Sequence, residues 1–141
     1  MSQRTAPVEL YRHSLDLLLA KDITAWVGLW AEEGVLEFPF APEGWPGKLD
    51  GKEAIAAYMQ AYPEHIDLHE FSDVRIHETA DRDTIVVEMR GVGRLVETAA
   101  PFDVRYIAVV TVQDGLIVSY RDYWNPLVVS APGADFARSG R

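Results

Sequence analysis

The pattern of apolar and polar positions changes character about halfway along the chain. In the first half, apolar residues recur every three or four positions. Val8, Tyr11, Leu15, Leu18 and Leu19 form one stripe, with Glu9, Arg12 and Asp16 on other faces and Pro7 tolerable in the first turn. This spacing predicts an amphipathic helix over residues 7–20. Asp22 is placed to cap a second short helix whose apolar face is Ile23, Trp26, Leu29 and Trp30, with Gly34 as its end. "VLEFPF", Val35 to Phe40, reads as a short strand running into a loop, because Pro39, Pro42 and Pro46 withhold backbone donors. "FAPEGWPG" is then a covering loop. Asp50 and Glu53 resemble a capping box that opens a third helix through Ile55, Tyr58 and Met59, stopping near Pro63.

From Val74 onward the signal is β. "VRIHET" leads through a turn at Asp81, Arg82 and Asp83 into "TIVVEMRGVGRLV", where Gly91 and Gly93 mark a bend or bulge in a long strand. "FDVRYIAVVTV" and "LIVSYRDYW" flank Asp114-Gly115, a hairpin signal because both residues tolerate positive φ. Helices first and strands afterwards predict an α+β fold with four or more antiparallel strands rather than βαβ alternation. Val104, Tyr106, Ala108, Val110 and Val112 lie on one side of their strand, and Ile107 and Val109 on the other. Two apolar faces predict helices over one and a second subunit over the other, hence a homodimer through the outer sheet face.

Composition narrows the classes of partner. A chain of 141 residues, 48% of them hydrophobic, matches one domain, here residues 1–130, followed by a loosely ordered tail over 131–141. The net charge of −9 repels phosphate backbones and anionic lipid, and the 13 basic residues are scattered, so neither nucleic acid nor a membrane surface is expected as a partner. No apolar run approaches the roughly 20 residues that span a bilayer, and the start, MSQRTAPVEL, has no signal-peptide core. The absence of cysteine rules out disulfides and thiolate chemistry. A cytoplasmic location is expected.

Candidate chemistry centres on "YRDYWNP", which sets Asp122 among three large aromatics on an apolar strand. A two-residue hairpin loop pairs Asp122 with Ile107 and brings Arg105 to its diagonal, an ion pair that would hold the carboxylate ionised. A three-residue loop or one bulge instead places Asp122 opposite Tyr106, where a carboxylate beside a phenol on an apolar face gains a raised pKa. The sequence leaves both registers open. Phe38, Phe40 and Trp45, in or beside the proline-rich loop, are candidates to close a pocket mouth, and Tyr58, Tyr106, Tyr120 and Trp124 to line or fill it. Glu37 faces away from Phe38 and reads as solvated. His65 and His69 are four apart, which on a helix would offer two imidazoles to a metal, but Pro63 precedes them and no third ligand follows. Neither metal nor nucleotide cofactor is expected, since no Gly-rich phosphate loop links a strand to a helix. Ser14 and Ser119 have no His–acid pair in any nucleophile motif.

The order of helix, helix, "VLEFPFAPEGWPGKLDGKEAI", helix, "FSDVRIHET", long strands and "DGLIVSYRDYWNP" resembles the SnoaL-like branch of the nuclear-transport-factor-2-like superfamily, which includes polyketide cyclases and phenazine biosynthesis A/B proteins. The resemblance covers nearly the whole chain. It implies a cone-shaped fold, a strongly curved sheet wrapped around three helices and enclosing an apolar pocket, usually in dimers. It also implies that Asp122 points into the pocket, where the matching carboxylate of cyclases and phenazine proteins acts as general acid or base. The departures are specific. Phe38 stands where the steroid isomerase branch carries its catalytic Asp, and that branch's second acid falls near Tyr106 and Ile107. The phenazine proteins place a histidine on the third helix, where this chain has "AIAAYMQAY", and commonly a Tyr where it has the pocket residue Phe102.

Three functions follow as expectations. The first is a cofactor-independent lyase, isomerase or cyclase for a small hydrophobic carbonyl compound, aromatic or polyketide-like. Asp122 would move the proton while Tyr106 or Tyr58 stabilises the oxyanion. The second is a binding protein using the same pocket without chemistry. The third is a dimerisation module whose cavity is filled by its own side chains.

Overall fold

The computed structural model describes residues 6–127, so the tail expected over 131–141 lies outside the described residues. Helix α1 (Ala6–Leu19) and the short α2 (Ile23–Val27) lead into strand β1 (Trp30–Glu37) and β2 (Lys48–Asp50). Helix α3 (Lys52–Met59) and the single turn α4 (Tyr62–His65) come next, then β3 (Ile66–Glu78), β4 (Thr84–Leu95), β5 (Pro101–Gln113) and β6 (Leu116–Trp124). The expected α+β class holds. One sheet carries the order β2-β1-β6-β5-β4-β3, antiparallel at every step except β1 beside β6, which is parallel.

The sheet curves because its long strands are interrupted by bulges. The β3–β4 ladder slips between Leu68 and Glu70 and again between Ser72 and Arg75, and the β5–β6 ladder slips between Thr111 and Val112. The helices cover the concave face. Tyr11 of α1, Trp26 of α2 and Ile55 of α3 meet Ile85, Val87, Val110 and Ile117 of the sheet in one buried cluster. A second cluster, Ile66, Leu68, Leu95, Phe102 and Val104, fills the other end of the long strands. Each large apolar side chain so buried contributes about 1.5–3 kcal/mol, which is what holds these short helices in place.

Local details depart from the sequence pattern at three points. The second helix ends at Val27, well before Gly34, and Trp30 opens β1. The Ile117 amide donates to the Leu29 carbonyl at 2.9 Å and Trp30 pairs with Ile117, so sheet hydrogen bonds capture a segment that has helical apolar spacing. Gly34 belongs to β1, where an added Cβ would lie 2.7 Å from the Trp30 ring. The third helix is capped by Gly51 at φ 100°, with no side-chain cap, because Asp50 is drawn into β2 opposite Val35. Finally, β3 begins at Ile66 rather than near Val74, since Ile66 and Leu68 are buried and pair with Leu95 and Gly93.

Candidate active site

The β5–β6 hairpin decides what Asp122 faces. Asp114 and Gly115 take φ of 54° and 79°, the positive values of the expected two-residue turn, and Gln113 pairs with Leu116. One extra residue then enters β6, since Val112 pairs with Ile117 but Thr111 with Ser119, leaving Val118 unpaired. Asp122 therefore sits opposite Ala108, which corrects both registers expected from the sequence. The bulge lies on β6 and not on β5, so the slip runs the other way. Its consequence is favourable to the site. Tyr106 pairs with Trp124 and becomes the diagonal, same-face neighbour of Asp122. Arg105 stays on the outer face, 3.5 Å from Asp73, and does not reach Asp122.

A cavity of about 330 Å³ lies between the concave face and the helices. Asp122, Tyr106, Tyr58, Phe38, Trp45, Phe102, Tyr120 and Trp124 all line it. Phe40 does not, and its expected place in the pocket is corrected: the ring is 57% exposed and packs edge-on against Tyr123, 5.2 Å between centroids. Glu37 faces Arg121 across the β1–β6 ladder and takes no part in the cavity. Along the cavity wall, Trp45 of the proline-rich loop rests on Trp124 at 5.5 Å, and Phe38 on Tyr58 at 5.8 Å. The hydroxyl of Tyr120 is tied to that of Tyr11 at 2.9 Å, and Tyr11 also donates to Met89 Sδ at 3.3 Å.

The electrostatics of the cavity are one-sided. Among the described residues its lining includes no Lys, Arg or His, and its second carboxylate, Asp103, is held by Arg90 through contacts of 2.7 and 2.5 Å. Nothing comparable serves Asp122. Its Oδ1 is sealed from solvent and has no hydrogen-bond partner among the described residues, and the residue lines the cavity. Burial disfavours the charged form, and the pKa is pushed up to about 7 from 3.8. The charge of Asp122 in turn helps burial raise Tyr11, Tyr62, Tyr106 and Tyr120. The two histidines do not share a helix face: His65 ends α4, while His69 lies in β3 and contacts Asp67 at 3.2 Å. Among the described residues no cluster of three or more His, Asp or Glu forms a metal site.

The sequence profile of the SnoaL-like domain matches residues 11–120. The chain belongs to the SnoaL-like domain family. A PhzA/B-like protein of Pseudomonas aeruginosa is 44% identical over 119 residues, 84% of each chain. The crystal structure of a candidate isomerase from Bacillus subtilis shares 40% identity with a TM-score of 0.85, over 96% of this chain and 94% of that one. A Mycobacterium tuberculosis protein solved in complex with estradiol-17β-hemisuccinate is similar in fold, with 21% identity and a TM-score of 0.75 over 86% and 95% of the two chains. The curved sheet and its helices are thus the cone-shaped fold of nuclear-transport-factor-2-like proteins.

Within this SnoaL-like cone the structure adds residues that the sequence pattern did not single out for the site. Tyr62 lines the cavity, and Tyr11 reaches it indirectly through Tyr120. Tyr62 was hidden because "AYPEHID" carries no periodicity and reads as a break before the strands. Tyr11 was visible only as a member of a helical stripe, where an aromatic reads as core.

Proposed function

We propose that this SnoaL-like protein is a cofactor-independent lyase, isomerase or cyclase that acts on a small hydrophobic carbonyl compound, aromatic or polyketide-like, by general acid–base catalysis at Asp122. The observation that carries the reading is the partnerless, buried carboxylate in an otherwise apolar cavity. A buried polar atom without a partner costs stability, so its retention points to a use. With a pKa of about 7, Asp122 is divided between its two forms near neutral pH, which is where a proton carrier works best.

The step that fits is proton transfer at a carbon next to a carbonyl. The Asp122 carboxylate takes the α-proton, the C–H electron pair becomes the C=C bond of an enolate, and the carbonyl oxygen collects the negative charge. Tyr106, the diagonal neighbour of Asp122, is placed to donate a hydrogen bond there. Asp122 then returns the proton to another carbon in an isomerase, or to the alkoxide formed when the enolate closes a ring. No redox partner enters this balance.

Incubating the protein in deuterium oxide with a panel of aromatic and polyketide-like ketones tests the reading by mass spectrometry. Deuterium should enter the α-position with wild type, and Asp122→Asn should slow this about a hundredfold while binding persists. Full exchange in Asp122→Asn sinks the assignment. Binding without exchange for every ketone supports a second reading, a non-catalytic carrier, which draws support from the steroid derivative held by the Mycobacterium tuberculosis protein of the same fold.

The reading extends to assembly as a cytoplasmic homodimer. Ile107 is 45% exposed on the outer face, flanked by Val109 and, across the β4–β5 ladder, by Val86. A second copy would cover this strip. Light scattering at micromolar concentration should give twice the chain mass, and Ile107→Lys should return it to the monomer value. A wild-type monomer mass would dispose of this interface.

A further inference from the structure

We propose that Tyr62 and Tyr106 together form a two-hydroxyl clamp for one oxygen of the ligand, and that this ligand is an uncharged ketone rather than a carboxylate. The proposal rests on the reading of the cavity as a carbonyl site, and it names the groups that grip the carbonyl and the class of compound gripped.

The two rings are fixed from different sides. Tyr62 sits on α4, whose single turn joins α3 to β3, and Tyr106 sits in the middle of β5. Both pack against the two buried clusters at once, so each ring lies at the seam where the clusters meet. Gly91 gives the Tyr106 ring its seat, since a Cβ there would come within 3.2 Å of Tyr106 Cε2. Rings held in this way lose little further entropy when their hydroxyls engage a ligand.

The hydroxyls are the available donors. Neither Tyr62 nor Tyr106 has a hydrogen-bond partner among the described residues, and neither oxygen is sealed off as Asp122 Oδ1 is. Tyr120, by contrast, is committed to Tyr11. Both rings line the one cavity with Asp122, and Tyr106 is the same-face diagonal neighbour of that carboxylate. Burial and the neighbouring carboxylate keep both phenols protonated at neutral pH, hence as donors. A neutral carbonyl oxygen accepts from two such donors without bringing charge into the cavity. A carboxylate would enter a space to which the described residues bring no cation and which already contains Asp122.

The probe is 2-acetylnaphthalene, followed by titration and by the infrared stretch of its carbonyl in the bound state. Two donors should lower that frequency relative to the ketone in hydrocarbon solvent. Tyr62→Phe and Tyr106→Phe should each restore part of the shift and weaken binding roughly threefold to tenfold, the loss of one hydrogen bond. Tyr123→Phe, whose ring packs against Phe40 outside the cavity, should change neither, and naphthalene-2-carboxylate should bind at least about tenfold more weakly than the ketone. The clamp is refuted if the bound ketone shows an unshifted stretch in wild type, a result that needs no variant to fold. It is equally refuted if Tyr62→Phe leaves stretch and affinity unchanged, if the carboxylate binds as tightly, or if the ketone does not bind at its solubility limit. None of these readouts involves proton transfer, so the clamp and the assignment of Asp122 as the proton carrier can fail separately.

Discussion

Asp122→Asn should make the protein more stable at pH 8 while leaving it nearly unchanged at pH 4. The folded state holds the Asp122 proton up to about pH 7, whereas the unfolded chain releases it near the ordinary 3.8. Below both values the carboxyl is protonated in both states and contributes nothing. Between them only the folded state binds the proton, so stability falls as pH rises, by up to about 1.4 kcal/mol per pH unit. Above pH 7 both states are ionised and the loss is constant. This is the reverse of the usual carboxylate, which gains stability from a partner as pH rises.

The full separation of the two values corresponds to about 4 kcal/mol, and water admitted by the cavity reduces what is realised. Asn keeps the shape and never ionises, so the expected gain at pH 8 is about 2–3 kcal/mol. Urea unfolding of both proteins at pH 4, 6 and 8 measures it directly, as the difference between their midpoints at constant slope. A difference that does not change with pH would mean that Asp122 titrates like a surface acid. Tyr106 and Tyr120 stay protonated through this window, and among the described residues the cavity lining holds no cation to imitate the effect.

The positions where sequence and structure part company share a cause. Helical spacing in α1 and strand alternation in β4 and β5 are local, and both were legible as written. Trp30 has the right spacing for a helix, yet Ile117, far along the chain, claims it for the sheet. Asp50 has the right spacing for a cap, yet Val35 claims it for β2. Asp122 stood out because a carboxylate among aromatics breaks the local rule. Its facing residue did not, because one unpaired residue, Val118, sets the register and no signal in "LIVSYRDYW" announces a bulge. Tyr62 escaped for a related reason: its role arises where two clusters meet, and neither is contiguous in sequence.

Gly93→Ala should cost more than any other glycine-to-alanine change in the long strands, about 3 kcal/mol or more. The reason is proximity rather than backbone angle. A Cβ on Gly93 would fall 2.1 Å from the Asp67 carbonyl oxygen, 2.9 Å from Leu68 Cα and 3.0 Å from the Asp67 carbonyl carbon. All three atoms are backbone, so no side chain can turn aside. The β3 bulge at His69 brings the strands this close, with Gly93 opposite Leu68 and Val92 opposite Glu70. Forcing them apart moves Leu68 out of the cluster with Leu95, Phe102 and Val104, three residues that also line the cavity. Gly91→Ala supplies the comparison, since the contacts nearest its Cβ, 3.2 Å from Tyr106 and 3.5 Å from Leu68, are side-chain atoms that can give. Its cost should stay near 1 kcal/mol. Urea midpoints rank the two variants, and equal losses would mean that β3 and β4 do not approach as closely as Gly93 requires. Because Leu95, Phe102 and Val104 line the cavity, Gly93→Ala should also weaken binding of 2-acetylnaphthalene although it touches no ligand.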